Sequence, residues 1–195
     1  MKHLFSKIAD FFRESDKALL ILCSFASIYG CLAVFSTTYY MENFRRVIVH
    51  SFCMILGIVA AMIISTYNYE NILRRWYVVA LLGLIPVILT FFIGIAPEGT
   101  DDKAWLDLGF TTFQPSEFLK ICFIVTFSYH LRKIKQNINK PKYLLPLCLH
   151  GAIPVILIHF QGDDGTALVF AIMVLFMMWS AGVSWKYFTI AFSSV

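Results

Sequence analysis

The sequence predicts an all-α fold, a polytopic bundle of membrane-spanning helices. Of its 195 residues, 59% are hydrophobic and 14% are charged, whereas soluble domains carry about 25% charged residues. The mean hydropathy is +0.73. The apolar residues also fall into long runs, and a spanning helix needs roughly 20 such residues. Because backbone groups in lipid must pair internally, long uniform runs favour helices over barrel strands.

Six apolar runs are long enough to span a bilayer. They cover residues 18–39, 47–64, 76–95, 115–131, 143–160 and 166–182. We therefore predict a six-span domain over residues 18–182, with outer loops at 96–114 and 161–165. Residues 1–17 carry an apolar helical face flanked by basic residues, which predicts a cytoplasmic interfacial segment. Residues 183–195 begin another apolar segment that is too short to span, either an interfacial tail or the stub of a truncated seventh helix.

The distribution of positive charge predicts the orientation. If the N-terminus is cytoplasmic, the inner segments carry most of the lysines and arginines, as the positive-inside rule requires. The outer loops then carry only Arg45, Arg46 and Lys103. The outer side is acidic, with Glu42, Glu98, Asp101, Asp102, Asp107, Asp163 and Asp164. The basic residues lie between apolar runs and form no basic face, so no nucleic-acid partner is predicted; the expected surroundings are membrane lipid.

Cysteine and histidine do not indicate a metal site or a disulfide framework. The cysteines, at positions 23, 31, 53, 122 and 148, lie within apolar runs and show no CxxC spacing. We interpret them as small packing residues. His50, His130, His150 and His159 share no ligand spacing and are interpreted as structural. No cofactor is identifiable, and a divalent cation would have no recognisable site.

The first polar motif begins the fourth run. Pro115 suits the first position of a helix, which places Gln114 at the cap and Ser116 and Glu117 in the first turn. Glu117 then has two interpretations: a capping carboxylate, or the partner of Lys120 one turn deeper. Lys120 is either a snorkelling side chain that pairs with Glu117 or a functional charge at the membrane boundary.

The second polar motif, QGDDGT, covers residues 161–166 and precedes the sixth run. One interpretation is a tight turn feeding a helix, with an acidic residue and Thr166 near the cap. The other is an outward-facing polar rim near a lipid headgroup, formed with Gln161, Asp163 and Gly165. Trp105, in the preceding outer loop, is typical of the aromatic belt at a membrane interface.

Three motifs together resemble a known family. The sequence FQPSEFLK at residues 113–120 resembles the FQPSE-x-x-K signature of the SEDS proteins, which include RodA, FtsW and SpoVE. KAWLDLG at 103–109 stands where the family has an R-R-W-I-x-L-G-like stretch, and QGDDGTALV at 161–169 is similar to the family's QPDLGTALV. The resemblance covers essentially the whole chain. Ala104 replaces the second basic residue, Gly162 replaces a proline and Asp164 replaces a leucine, changes expected to loosen the second loop and add a charge.

The resemblance implies a peptidoglycan glycosyltransferase of the bacterial cytoplasmic membrane. Such an enzyme polymerises lipid II, the lipid-linked precursor, and its implied partner is a class B penicillin-binding protein. Lys103 and Lys120 would contact the pyrophosphate, and Glu117 would position Lys120. Asp163 and Thr166 would shape the rim. The processes served would be cell shape, cell division or sporulation.

The family also has about ten spans, and its proposed catalytic aspartate lies in a later T-D-F-I-F-like loop. No such motif occurs in these residues, so no catalytic residue is assigned and the isolated chain is expected to be inactive. Two alternatives stay open. A lipid-precursor flippase would need broken helices and mid-membrane charges along a path, and a non-catalytic membrane subunit would need only a docking surface.

Overall fold

The computed structural model describes residues 11–39, 44–65, 67, 69–97, 99–100, 102–109 and 111–193. The chain divides into two compact units, Met1–Tyr69 and Glu70–Val195. In chain order the elements are α1 (Lys17–Tyr39), α2 (Arg45–Ser65), α3 (Tyr69–Arg74), α4 (Trp76–Ile93), β1 (Leu106–Asp107), β2 (Thr112–Phe113), α5 (Pro115–Ile134), α6 (Pro141–Phe160), α7 (Asp164–Ser180) and α8 (Trp185–Ser193), with a 3-10 turn at Lys135–Asn137. Residues 11–14 are also helical; most of the predicted interfacial segment lies outside the described residues.

The helical bundle is confirmed, because each of the six predicted runs forms a helix. Within the described part of the chain, α1, α2, α4 and α6 are long and apolar enough to cross a membrane. Helix α7 is apolar but has 17 residues. Helix α5 has 20 residues but carries an acidic first turn and a basic last turn. Six spans and a cytoplasmic N-terminus therefore stay predictions.

The first unit is a helical hairpin of α1 and α2. A Cβ added at Gly30 would lie 3.2 Å from the Nε2 atom of His50, so the glycine permits a close approach of the two helices. Thr38 is buried and donates its hydroxyl to the carbonyl of Val34 at 2.7 Å. Most other side chains of both helices are apolar and exposed, which suits contact with lipid.

The second unit has a packed core formed by α4 to α7. A Cβ at Gly83 of α4 would lie 2.8 Å from the Cβ of Cys122 in α5, and one at Gly151 of α6 would lie 2.9 Å from Val174 of α7. Small residues bring helix backbones close together in membrane proteins, where packing replaces the hydrophobic effect. The ring of Phe123 stacks on Phe127 at 4.9 Å between centroids. These contacts hold α4 against α5 and α6 against α7.

The loop before α5 contains a small β-hairpin that the all-α prediction missed. Ile95 pairs with Trp105, and β1 pairs antiparallel with β2. Gly109 adopts φ +80° in the turn and donates its N–H to Oδ1 of Asp107 at 2.7 Å. Strands of two residues are too short to show an alternating pattern, so no strand was predicted here.

Helix α8, predicted as the stub or tail, begins against the 135–140 segment. Asn139 accepts the N–H of Ser184 at 2.7 Å through its side chain, and its carbonyl accepts the hydroxyl of Tyr187 at 2.6 Å. Phe188 is buried in the core. These bonds fix the start of α8 to the α5–α6 connection.

The connection from α6 to α7 is closed by Gly162. This residue adopts φ +89°, and its N–H bonds the carbonyl of His159 at 2.9 Å while the N–H of Asp163 bonds the carbonyl of Ile158 at 3.3 Å. The pattern is a Schellman motif, which uses a left-handed residue to satisfy the last carbonyls of a helix. Instead of loosening the loop, the glycine that replaces the family's proline ends α6 sharply.

Gly162→Ala is expected to lower the free energy of unfolding by about 1–2 kcal/mol, since a Cβ penalises the left-handed conformation. A Cβ there meets no atom closer than 3.5 Å, so the effect is conformational. The measurement is an SDS titration in mixed micelles followed by circular dichroism. Gly165→Ala is the matched control, because Gly165 is helical and alanine is the better helix former; equal losses in both variants would contradict the assignment.

Candidate functional site at the starts of helices α5 and α7

The two polar motifs meet through a side-chain hydrogen bond. Gln114 donates Nε2–H to Oδ2 of Asp163 at 2.7 Å, across 49 residues of sequence. The other oxygen of Asp163, Oδ1, accepts the N–H of Thr166 at 2.9 Å and caps α7. One carboxylate therefore joins the start of α5 to the start of α7. We call Gln114, Asp163 and Thr166 the outer rim, after the predicted orientation.

The backbone at α5 follows the prediction, but the side chains do not cap the helix. Pro115 occupies the first turn and Gln114 is the N-cap residue, with extended backbone angles and no side-chain cap hydrogen bond. The Gln114 side chain is directed to Asp163 instead. The N–H of Glu117 donates to the carbonyl of Gln114 at 3.1 Å, so it is satisfied without a side-chain cap.

Glu117 pairs with Lys120, which agrees with the second interpretation of this residue. The Nζ of Lys120 lies 2.8 Å from Oε1 of Glu117. The side chain of Lys120 is 24% exposed and that of Glu117 is 57% exposed. An ion pair at this exposure contributes little stability. The contact places the lysine ammonium one turn inside the helix start.

Gln161 anchors the second motif to α4, a contact that sequence reasoning missed. Its side chain is buried and donates to the carbonyl of Val87 at 2.9 Å and to the hydroxyl of Thr90. Thr90 is fully buried and also donates to the carbonyl of Val87 at 2.7 Å. A polar side chain among apolar helices was the available signal, since buried polar groups are nearly always hydrogen-bonded.

Gln161→Leu is expected to lower the free energy of unfolding by about 1–3 kcal/mol, because two buried hydrogen bonds are lost while the side-chain volume is nearly kept. The same SDS titration measures it. Gln136→Leu, at an exposed glutamine in the 3-10 turn, serves as the control and should stay within about 0.5 kcal/mol. A Gln161→Leu variant as stable as the unmodified chain would show that the hydrogen bonds of Gln161 to Val87 and Thr90 do not stabilise the fold.

The stretch at 103–109 is held against the end of α4. Ile95 and Trp105 exchange two backbone hydrogen bonds, at 2.8 and 3.3 Å. A Cβ at Gly94 would lie 2.4 Å from the carbonyl oxygen of Lys103, so this approach requires glycine. Lys103 is exposed and Trp105 is half-buried. Ala104 is 1% exposed, so a second basic side chain at this position would be buried.

Two polar atoms near the motifs are buried without a hydrogen-bond partner within the described part of the chain: Oγ of Ser116 and Oδ1 of Asp102. The Asp102 backbone lies against Gly162, where a Cβ would be 3.5 Å from the Asp102 Cα. The first outer loop therefore touches the second. Gly165 lies in the first turn of α7, where an added Cβ would lie 3.7 Å from Oδ1 of Asp163.

The histidines form contacts that the spacing did not predict. His130 and His150 face each other across α5 and α6, with 3.1 Å between their Nδ1 atoms. His159 Nδ1 lies 2.5 Å from Oδ1 of Asp164, and both side chains are exposed. Among the residues that the structure describes, no group of three His, Cys, Asp or Glu side chains is arranged to hold a metal ion.

Comparison with known proteins decides the family. The family model described as Cell cycle protein, FtsW/RodA/SpoVE, matches residues 16–195. The chain belongs to this family. The SEDS resemblance drawn from the motifs is thereby confirmed, and so is a multi-pass membrane protein.

Two relatives are named probable peptidoglycan glycosyltransferase FtsW. The protein of Nitrosomonas europaea is 32% identical over 108 residues, covering 55% of this chain and 28% of that protein. The protein of Trichlorobacter lovleyi is 28% identical over 180 residues, covering 87% of this chain and 46% of that protein. The chain thus spans at most about half the length of these curated FtsW relatives.

Solved structures show the same fold. The rod shape determining protein RodA of Thermus thermophilus matches with a TM-score of 0.74 at 22% identity, over 93% of this chain and 58% of that one. A chain from a peptidoglycan synthase complex, studied for the coordination of polymerization and crosslinking, matches with a TM-score of 0.75 at 22% identity, over 93% of this chain and 52% of that one. At this identity the likeness concerns the fold.

Proposed function

We propose that this FtsW/RodA/SpoVE-family chain forms part of a peptidoglycan glycosyltransferase that polymerises lipid II at the outer face of the bacterial cytoplasmic membrane. The observation that carries the proposal is the Gln114–Asp163 hydrogen bond. It joins two family motifs into one polar rim at the ends of apolar helices. A substrate with a lipid tail and a polar head needs both environments side by side.

The charges near the rim suit the pyrophosphate of such a substrate. Lys120 is held in place by Glu117, and the exposed Lys103 makes no hydrogen bond or ion pair to another described residue. The start of α5 adds the positive end of the helix dipole, which favours anions. In this proposal Lys103 and Lys120 contact the pyrophosphate, Asp163 and Thr166 shape the rim, and Trp105 lies at the membrane interface.

The proposal includes an orientation and a partner. With the N-terminus cytoplasmic, the rim faces outward, where the carrier-linked disaccharide is polymerised. A class B penicillin-binding protein is the proposed partner, since polymerised strands require crosslinking. The named relatives and the solved synthase complex support this assignment.

The test is complementation of a strain depleted of its own family member by a full-length family member that contains this chain, with Lys120→Ala and Glu117→Ala as variants. We expect restored growth and shape with the unmodified protein and loss with Lys120→Ala. The same full-length protein, purified into liposomes with labelled lipid II, separates the alternatives: polymer supports the glycosyltransferase, whereas movement of lipid II across the bilayer without polymer would support a flippase. If neither polymer nor movement of lipid II is observed, the non-catalytic subunit is the alternative that remains.

A further inference from the structure

A cavity opens at the opposite end of the second unit from the outer rim. Its volume is about 680 Å³, within the roughly 300–1,000 Å³ typical of small-molecule sites. It lies between α4, α5 and α6, and its lining runs from Trp76 to Leu84, from Leu119 to Ile134 and from Tyr143 to Pro154. The cavity therefore extends from the end that carries the 135–140 segment past the middle of α5 and α6.

The lining changes in character along the cavity. Its deep part is apolar, with Leu84 and the buried Leu119 and Phe123. Its mouth is aromatic and basic: the ring of Trp76 stacks on Tyr129 at 6.3 Å between centroids, and the exposed Lys133 stands beside them. Aromatic rings with a lysine form the usual boundary between lipid tails and headgroups. The occupant that fits has an apolar tail and an anionic head.

A polar chain crosses the cavity wall. Thr126 donates to the carbonyl of Phe123 at 3.2 Å and lies 3.4 Å from Nε2 of His150, whose Nδ1 lies 3.1 Å from Nδ1 of His130. The second ring nitrogen of His130 makes no hydrogen bond to any described residue. His130 lines the cavity and is half-buried, so this nitrogen is available to a polar group of a ligand there.

Further cations adjoin the lining residues in sequence. Arg74 and Arg75 precede Trp76, and Arg132 neighbours Lys133. No acidic residue occurs among residues 118–162. Basic pockets between transmembrane helices bind the headgroups of anionic lipids. The charge therefore complements a lipid phosphate and selects this occupant over an apolar helix, which would leave the lysine and the histidine unpaired.

We propose that this cavity is a binding site for an anionic phospholipid. Its headgroup phosphate contacts Lys133, its ester region lies beside His130, and one acyl chain fills the space between α4, α5 and α6. The site is distinct from the outer rim and uses none of its residues. It would make the α4–α6 end of the bundle sensitive to the lipid composition of the leaflet on that side.

The test uses the full chain in phosphatidylcholine vesicles to which one brominated lipid is added. This lipid is either phosphatidylglycerol or phosphatidylcholine, in each case with brominated acyl chains. Trp76 fluorescence is isolated as the difference between the chain and its Trp76→Phe variant. We expect brominated phosphatidylglycerol to quench Trp76 more strongly than brominated phosphatidylcholine does. In Lys133→Gln this preference should fall about fivefold, which is the effect of one lysine at an anionic surface. Lys142→Gln is the matched control, an exposed lysine at the same end that does not line the cavity.

Several outcomes would overturn the site. Equal quenching by both lipids would show that no headgroup is recognised. Equal loss in Lys142→Gln would reduce the effect to general surface attraction, and no quenching of Trp76 by either lipid would show that protein covers the cavity. Circular dichroism checks the fold of each variant. Ala80→Phe, which fills the cavity wall, should abolish quenching with Lys133 intact, so the proposal stays testable if Lys133→Gln does not fold.

Discussion

Asp163→Ala is expected to lower the free energy of unfolding of the chain by about 2–4 kcal/mol. The substitution removes an N-cap, worth about 0.5–2 kcal/mol, and a hydrogen bond to a charged acceptor, worth about 1.5–3 kcal/mol. Both bonds come from one carboxylate: Oδ1 accepts from Thr166 and Oδ2 accepts from Gln114. Because these bonds join α5 to α7, the loss should also separate the two motifs.

An SDS titration in mixed micelles measures the stability of this variant. Asp164→Ala is the matched control, since the neighbouring carboxylate is 75% exposed and contacts His159; it should change stability by no more than about 0.5 kcal/mol. Asp163→Asn keeps an oxygen for the cap and should recover about half of the loss. If Asp163→Ala and Asp164→Ala lose equal stability, the carboxylate of Asp163 does not join the helices.

Lys120→Ala is expected to weaken the binding of lipid II by about ten- to a hundredfold. A hydrogen bond between a charged donor and a phosphate contributes about 1.5–3 kcal/mol, and every 1.4 kcal/mol is about tenfold in affinity. Lys120 is the cation nearest to the start of α5 in sequence, and Glu117 fixes it at 2.8 Å. Removing it leaves the rim without its fixed positive charge.

Titration of labelled lipid II into the chain in nanodiscs measures this affinity. Glu117→Gln should weaken binding less than Lys120→Ala, since it removes the carboxylate that positions the ammonium but leaves the ammonium itself. Lys186→Ala, at an exposed lysine near the start of α8, is the control for general charge and should bind as the unmodified chain does. An unchanged affinity in Lys120→Ala would remove this residue from the site.

The parts of the fold that were predicted from sequence depend on local chemistry. Long apolar runs are helices because no other structure pairs the backbone in lipid. Pro115 marks the start of α5 because its ring fixes a helical φ and it has no N–H to satisfy. The family motifs were identified from residue types at fixed spacing. Each of these signals lies within one segment of chain.

The parts that were not predicted depend on which helix faces meet. The bond from Gln161 to Val87 spans 74 residues, and the contact between His130 and His150 needs α5 and α6 to be neighbours in one register. Neither follows from periodicity, since both sides of a membrane helix are apolar. From the sequence alone, Gly162 is only the replacement of a family proline. Its role comes from its positive φ, which the turn between α6 and α7 requires.

Site-specific photo-crosslinking of lipid II tests the central claim most directly. A photoreactive residue replaces exposed Thr112 beside the outer rim in one version of the chain and exposed Lys142 at the opposite end in another. The proposed function predicts crosslinks to labelled lipid II from position 112, displaced by unlabelled lipid II, and none from position 142. Crosslinks from position 142 alone, or from neither position, would contradict a lipid II site at the starts of α5 and α7.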